Sequence, residues 1–277
     1  MLRPIDPLIL SQSRTTFSFF ALLAVLLSTR GWRKLQLPAS DVGRLFLLGI
    51  LGVSASNYLY YLAIQRTNVA TAIILQYTAP VWVLFYSVIR GVQKPTLQRV
   101  AAVVLAMLGI ALVIGIFNSS FRTDPVGLIA ALLAAFSFAF YNIGGHSILA
   151  RYDRWTVLLY AIFSASLFWS VVNPPWKIVA AHYATNQWLF LLVFSLISVL
   201  APFSCYFAGL QHLEPTRAIV VSCLEPVFSI VIAAFALGEV LHSMQTAGIV
   251  LVLIAIVVVQ LPDRVSREGV TPIEPME

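Results

Sequence analysis

The chain has 277 residues, of which 60% are hydrophobic and only 10% carry a charge, and its mean hydropathy is +0.91. This composition lies far outside the range of soluble domains and excludes that class. The net charge of +6 would favour anionic partners in a soluble protein. In a membrane protein, the distribution of basic residues among the loops between spans instead indicates the orientation in the membrane. We therefore predict an all-α polytopic membrane protein embedded in a lipid bilayer, with no nucleic-acid partner.

Apolar segments long enough to cross a bilayer recur along the whole chain. Pro7, Pro125 and Pro215 each stand at the predicted start of a helix, where the missing amide donor costs little. After Leu261 the tail 262–277 is polar and contains prolines, which predicts a disordered segment. The predicted spans are 7–28, 42–63, 69–89, 96–117, 125–149, 156–173, 187–212, 216–237 and 242–261.

The apolar run 217–237 carries Glu225 and Pro226 at its middle. A carboxylate at that depth is costly without a partner, and a proline inside a helix removes one backbone hydrogen bond and kinks the helix. Broken helices of this kind, with ionisable side chains near the midplane, form the substrate site in many secondary transporters. Glu225 is interpreted either as a site for a substrate amine or a proton, or as a structural carboxyl beside the kink, and the structural role is favoured.

The segment 207–226 aligns without a gap on 61–80, an offset of 146 residues. The identical pairs are Gln65/Gln211, Ala72/Ala218, Ile73/Ile219 and Pro80/Pro226. Four identities in twenty are weak evidence between apolar helices, but the same register continues as far as Ala101 and Ala247, and the surrounding spans follow in the same order. This pattern predicts an internal duplication, with kinks at Pro80 and Pro226.

The duplication predicts a first repeat over 1–117 and a second over 125–261. The second contains five spans and the first only four, because the counterpart of 125–149 would lie before Met1. The simplest hypothesis is that this chain starts late and that the natural protein has ten helices. The alternative is a genuine nine-helix protein.

Basic residues are distributed unequally between the two sides of the membrane. Twelve lie on one side, against four on the other: Arg30, Arg33, Lys34, Arg44, Arg90, Lys94, Arg99, Arg151, Arg154, Arg217, Arg264 and Arg267, against Arg3, Arg66, Arg122 and Lys177. The positive-inside rule then places the first side and the C-terminus in the cytoplasm of a cell (inner) membrane. Five helices in each repeat also make the two repeats opposite in orientation.

The second half of the chain carries the clearest family pattern, in the run 224–259. Its characteristic residues are Glu225, Pro226, Gly238, Glu239 and Gly248. This run resembles the last two helices of the ten-helix EamA branch of the drug/metabolite transporter superfamily, and 79–109 is similar except for alanine in place of Glu225. The resemblance implies two inverted five-helix halves and a secondary carrier of small metabolites, often an exporter of amino acids. The chain departs from the family by its absent first helix, which there helps to line the central cavity.

Polar and aromatic side chains inside the spans are the candidate substrate-binding residues: Arg14, Asn57, Tyr58, Tyr61, Gln76, Tyr77, Trp82, Tyr141, Asn142, Tyr206, Ser222 and Glu225. The alternative for most of them is helix packing, since such hydrogen bonds average about 0.6 kcal/mol. Arg14 could meet a substrate carboxylate, but extension to the nearby outer interface is favoured. His146 is interpreted as a hydrated histidine near a helix end, and Glu239 as a cap or loop-fixing residue.

The sequence contains no phosphate-binding loop, no metal-spaced His/Glu pair and no catalytic Ser/His/Asp arrangement. Cys205 and Cys223 lie inside apolar runs, which favours a role as small buried residues over a disulfide or a metal site. We predict a secondary transporter without a cofactor or metal, not an enzyme, that moves amphipathic metabolites such as amino acids by alternating access at a midplane cavity. Protons are a candidate coupling ion. The alternative is a membrane enzyme or a structural membrane subunit on the same fold.

Overall fold

The computed structural model describes residues 6–31, 35–115, 124–237 and 241–262. Within these ranges the chain is helical and contains no β-strand. Eight of the helices are long and apolar enough to cross a membrane, as expected of an all-α polytopic membrane protein. The loop residues Gly238 and Glu239, and the tail from 263 onward, lie outside the described residues.

All nine predicted apolar segments form helices in the structure. They are α1 (Pro7–Arg30), α2 (Ala39–Arg66), α3 (Val69–Ile89), α4 (Leu97–Val113), α5 (Pro125–Leu149), α6 (Arg154–Val172), α7 (Thr185–Leu210), α8 (Pro215–Ala236) and α9 (Ser243–Gln260). A short helix, Pro175–Ala180, lies in the link between α6 and α7. Helix α4 has 17 residues, so it is about 26 Å long, near the lower limit for a membrane span.

Several helices begin at residues that satisfy their free backbone amides. The Asp6 carboxylate accepts a hydrogen bond from the Leu8 amide at 2.7 Å, and Asp124 accepts one from the Gly127 amide at 2.9 Å. A proline follows each of these caps in the first turn, as it does at the start of α8. The predicted helix starts at the three prolines are therefore confirmed.

Helices α2, α3, α7 and α8 are all irregular near their middles. A π-helical segment occupies Leu48–Ser54 in α2 and Leu196–Leu200 in α7. Helix α3 is interrupted after Gln76, and α8 is interrupted after Ser222. These two pairs of irregularities keep the 146-residue offset seen in the sequence and support the predicted repeat, whose boundaries remain a prediction.

Three groups of helices build the core. Helix α5 packs against α2 and α3, helix α1 packs against α6 and α7, and α4 packs along α9. The contact between α4 and α9 is close because Gly109 faces Gly248. A Cβ atom built on Gly248 would lie 2.6 Å from the Gly109 carbonyl oxygen, so the pair requires glycine at this point.

Polar contacts join helix ends on the side of the bundle where α1 ends. Arg30 pairs with Asp153 in front of α6, and the Tyr152 hydroxyl donates to the Asp41 carboxylate. That hydrogen bond raises the pKa of the Tyr152 phenol because it favours the protonated form. These contacts connect the ends of α1, α2 and α6 on the side that carries most of the basic residues.

Candidate functional site

A cavity lies between α1, α2, α6 and α7. Its lining residues are Ser11, Arg14, Thr15, Val53, Asn57, Tyr61, Ile162, Trp169, Val199 and Phe203. The volume open to the centres of water-sized molecules is about 40 Å³. At about 10–15 Å³ for each water, this conformation has room for about three water molecules.

Arg14 points into this cavity and is held by α7 and α2. Its Nε donates to Ser198 Oγ and its Nη2 to the Ser198 carbonyl oxygen, both at 2.9 Å, while its Nη1 donates to the Tyr61 hydroxyl at 3.4 Å. The guanidinium also lies 5.6 Å from the centre of the Phe194 ring. The favoured interpretation of Arg14 as extending to the outer interface is therefore wrong. Three polar acceptors on α7 and α2 within 3.4 Å hold the guanidinium in the cavity instead.

The π-helical segments of α2 and α7 border the cavity from two sides. Ser198 lies in the segment Leu196–Leu200 and offers Arg14 its backbone carbonyl as well as its hydroxyl. On the other side Asn57 donates to the carbonyl oxygen of Val53, which lies in the segment Leu48–Ser54, at 2.8 Å. A π-helical turn shifts the backbone hydrogen-bond ladder by one residue, and such turns frequently occur at functional sites.

Several cavity residues are absent from the sequence-based candidates. On α1, Ser11 lies three residues before Arg14 and four before Thr15, so it shares a helical face with each of them. This polar stripe in an apolar span was a signal that could have found them. Ser198 gave no such signal, because it is one of three serines in an apolar helix and lies 184 residues from Arg14.

A second group of candidates meets where α3 approaches α8. The Tyr77 hydroxyl donates to Glu225 Oε2 at 3.1 Å. Tyr77 is buried, whereas Glu225 is exposed on the surface of the bundle. The contact lies beside both helix interruptions, and Pro80 and Pro226, which follow them, are buried. Within the described residues, no group of three metal-ligating side chains accompanies this carboxylate.

Tyr141, Asn142 and Tyr206 form a third group, between α5 and α7. Asn142 Nδ2 lies 2.7 Å from the Tyr206 hydroxyl oxygen, and the rings of Tyr141 and Tyr206 are stacked 5.5 Å apart. The Tyr141 hydroxyl and Asn142 Oδ1 are buried without a hydrogen-bond partner among the described residues. Because unpaired buried polar atoms are costly, this group is a candidate position for an ordered water molecule.

The remaining candidates lie away from the cavity. Gln76 Nε2 is 3.5 Å from Ser56 Oγ, and the Trp82 and Phe136 rings are tilted by 35° with their centroids 4.2 Å apart. Tyr58 is 38% exposed and packs against Phe168 and Trp169 from the side, although its neighbour Asn57 lines the cavity. Ser222 donates to the carbonyl oxygen of Ile219 at 2.7 Å within its own helix.

A family model described as EamA-like transporter family matches residues 1–115 and 125–261 of this chain. One relative is an uncharacterized inner membrane transporter, YicL, from Salmonella typhimurium, 23% identical over 81% of this chain and 75% of its own length. An uncharacterized transporter from Archaeoglobus fulgidus is 25% identical over 87% of this chain and 83% of its own length. The threonine/homoserine exporter RhtA of Salmonella typhimurium is 29% identical over 74% of this chain and 67% of its own length.

The arrangement of helices also matches a solved structure. A crystal structure of a protein superposes with a TM-score of 0.77, covering 93% of this chain and 88% of the other. The two sequences are 17% identical, so this likeness concerns the fold alone.

Proposed function

Because this chain belongs to the EamA-like transporter family, we propose that it is a secondary carrier of amino acids and related amphipathic metabolites, and that it exports them. The observation that carries the proposal is the Arg14 guanidinium in the cavity between α1, α2, α6 and α7. A guanidinium recognises a carboxylate through paired, charge-assisted hydrogen bonds. Every α-amino acid offers a carboxylate, and the name of the RhtA relative makes threonine the first substrate to test.

The hydrogen-bond acceptors around Arg14 are of a kind that a substrate carboxylate can replace. Its present acceptors are neutral, namely the Ser198 hydroxyl and carbonyl and the Tyr61 hydroxyl. A carboxylate that replaces one of them gives a shorter and stronger charge-assisted bond. Asn57 and Ser11 line the same cavity and supply further polar groups for the rest of an amphipathic solute.

The small size of the cavity supports alternating access. A volume of about 40 Å³ is far below the roughly 300–1,000 Å³ that ligand pockets usually have. Substrate entry therefore requires α1 and α7 to separate, and the Arg14–Ser198 contact is the link that a carboxylate would replace. We infer that substrate binding and opening of the cavity are coupled through this contact.

The proposed orientation follows from the basic residues, with the C-terminus in the cytoplasm of the inner membrane. Helix α9 then ends at the cytoplasmic surface, as do α1, α3, α5 and α7. A reporter fused after Glu277 that is active only in the cytoplasm tests the assignment. Activity of a periplasm-specific reporter at the same position would show that the orientation is the opposite of the proposed one.

The test of function is uptake of labelled threonine into proteoliposomes that contain purified protein. We expect counterflow with the parent protein, and a loss of about ten-fold or more for Arg14→Gln, since a hydrogen bond to a charged group contributes about 1.5–3 kcal/mol. Arg14→Lys should recover part of the flux, because it keeps the charge and loses the paired geometry. Arg66→Gln is the matched control, because Arg66 is an exposed arginine at the end of α2.

Flux of Arg14→Gln equal to that of the parent would exclude Arg14 as the carboxylate site. A folded parent protein that moves neither threonine nor any other amino acid would overturn the proposed substrate class. Monodisperse elution and unchanged helix content of each variant ensure that loss of flux is read only from folded protein.

A further inference from the structure

A second and larger cavity lies at the ends of α3 and α5 where α8 begins, and it shares no lining residue with the cavity around Arg14. Its volume for the centres of water-sized molecules is about 400 Å³, ten times that of the cavity around Arg14. It is an open cleft. Its lining residues are Tyr86, Ser87, Ile89, Arg90, Val92, Ile143, His146, Ser147 and Pro215.

The polar part of the cleft favours an anion. Arg90 is exposed, and no carboxylate among the described residues pairs with its guanidinium. His146 and the hydroxyl of Ser147 add hydrogen-bonding groups from α5. Glu214, which directly precedes the lining residue Pro215, is paired with arginines outside the cleft.

Glu214 precedes Pro215 in the cleft lining, but its side chain is bound on three sides. Its Oε2 accepts from Arg99 Nη2 at 2.9 Å and from Gln93 Nε2 at 3.4 Å, and lies 3.7 Å from Arg217 Nε. Two guanidinium groups thus surround one carboxylate, so the local charge beside the cleft stays positive even with Glu214 ionised.

Apolar side chains continue from the cleft along the seam between α3 and α5. Trp82, one turn before Tyr86, lies against Phe136 of α5 with the ring centroids 4.2 Å apart and the rings tilted by 35°. Phe85 is 59% exposed and Phe140 is 42% exposed on the same two helices. A cationic pocket at the helix ends is thereby joined to an apolar surface on two helices that are long and apolar enough to cross a membrane.

We propose that this cleft binds the headgroup of an anionic phospholipid, with Arg90 and His146 on the phosphate and the acyl chains along the seam of α3 and α5. Basic pockets between transmembrane helices near the membrane surface recognise such headgroups. A free phosphate compound would use only the polar half of the site. The apolar continuation, which faces the bilayer, favours the lipid.

The test compares lipid binding to detergent-purified full chains by native mass spectrometry and thermal unfolding. We expect phosphatidylglycerol to bind the parent more tightly than phosphatidylcholine does and to raise its unfolding temperature. In Arg90→Gln/His146→Gln, binding of phosphatidylglycerol should weaken about five-fold or more, since an arginine near the surface contributes about 1 kcal/mol. Phosphatidylcholine binding should not change.

Arg151→Gln is the control, because it removes an exposed positive charge near the end of α5, outside the cleft lining. An equal loss in Arg151→Gln, or no loss in the double variant, would overturn the proposal in favour of diffuse charge attraction. Displacement of phosphatidylglycerol by millimolar glycerol phosphate would identify a soluble phosphate compound as the ligand and would also overturn it. Stabilisation of the parent by phosphatidylglycerol provides a readout that does not depend on any variant.

Discussion

The helix pair α2/α3 and the helix pair α7/α8 share the same register and the same irregularities, but the helices that the structure describes cover the outer face of the first pair and leave that of the second exposed. Ala79 and Val83 of α3 are both 0% exposed, because they pack against Ala135 and other small residues of α5. At the 146-residue offset their counterparts on α8 are Glu225 and Ser229, and both are exposed.

The difference explains which residue types each face accepts. Where α5 approaches α3, the contact is made by alanine and valine, since small apolar side chains let two helices pack closely in a membrane. Where the described helices leave α8 uncovered, the same register position carries a carboxylate. Among the described residues the Tyr77 hydroxyl donates to this carboxylate.

The largest expected effect comes from exchanging the two residue types. Ala79→Glu buries a carboxylate between α3 and α5 without a partner, so we expect it to lower the free energy of unfolding by more than about 3 kcal/mol. The matched variant Glu225→Ala should unfold within about 1 kcal/mol of the parent, because it removes one intramembrane hydrogen bond. Unfolding in increasing sodium dodecyl sulfate, followed by circular dichroism, measures both.

Equal stability of Ala79→Glu and Glu225→Ala would contradict the comparison, since it would mean that both faces are equally accessible. Failure of Ala79→Glu to accumulate in membranes, with normal amounts of Glu225→Ala, would support it.

A smaller effect is expected where α2 contacts α6. A Cβ atom on Gly49 would lie 2.4 Å from the Ala161 carbonyl oxygen, whereas the counterpart on α7 is Ser195, whose hydroxyl donates to the Ser13 carbonyl at 3.2 Å. We expect Gly49→Ala to destabilise by about 1–3 kcal/mol through overpacking. Ser195→Ala should lose only about 0.6 kcal/mol, the average for a hydrogen bond between membrane helices.

The same unfolding experiment tests this pair of variants. Gly49→Ala as stable as Ser195→Ala would show that α2 can move away from α6 at no cost, and the close contact would then not restrict residue 49.

The sequence was sufficient to predict the nine helices, because the length and polarity of a span are local properties of the chain. It also predicted the irregular middles of α3 and α8, since Pro80 and Pro226 are incompatible with a continuous helix. Which face of a helix meets the cavity could not be predicted. Asn57 lines the cavity and Tyr58, the next residue, does not, and this depends on how α2 packs against α6.

The direction of Arg14 was predicted wrongly for a related reason. From the sequence alone, the only estimate for a charged side chain is its distance along the helix to the membrane surface, and for residue 14 that distance is short. The decisive partner is Ser198, which becomes a neighbour only after α7 has folded against α1. The π-helical segment that includes Ser198 has no residue-type signature comparable to proline, so periodicity did not reveal it.

The smallest expected effect concerns Tyr77 of α3 and Glu225 of α8, which join the two helix pairs. Tyr77→Phe removes the hydroxyl that donates to Glu225 at 3.1 Å. We expect a loss of about 0.6 kcal/mol, with an upper limit near 1.7 kcal/mol. Glu225→Gln should be as stable as the parent, because its amide oxygen accepts the same hydrogen bond.

Transport separates a structural Glu225 from a titrating one, because Glu225→Gln keeps the shape and the acceptor while it removes the ionisable group. We expect near-parent threonine flux with the parent's pH dependence, since the described contact requires only an acceptor. Flux that is abolished in folded Glu225→Gln, or that loses its pH dependence, would instead make Glu225 a substrate-amine or proton site. Tyr77→Phe is the control, because it breaks the same contact from the other side and leaves the carboxylate in place.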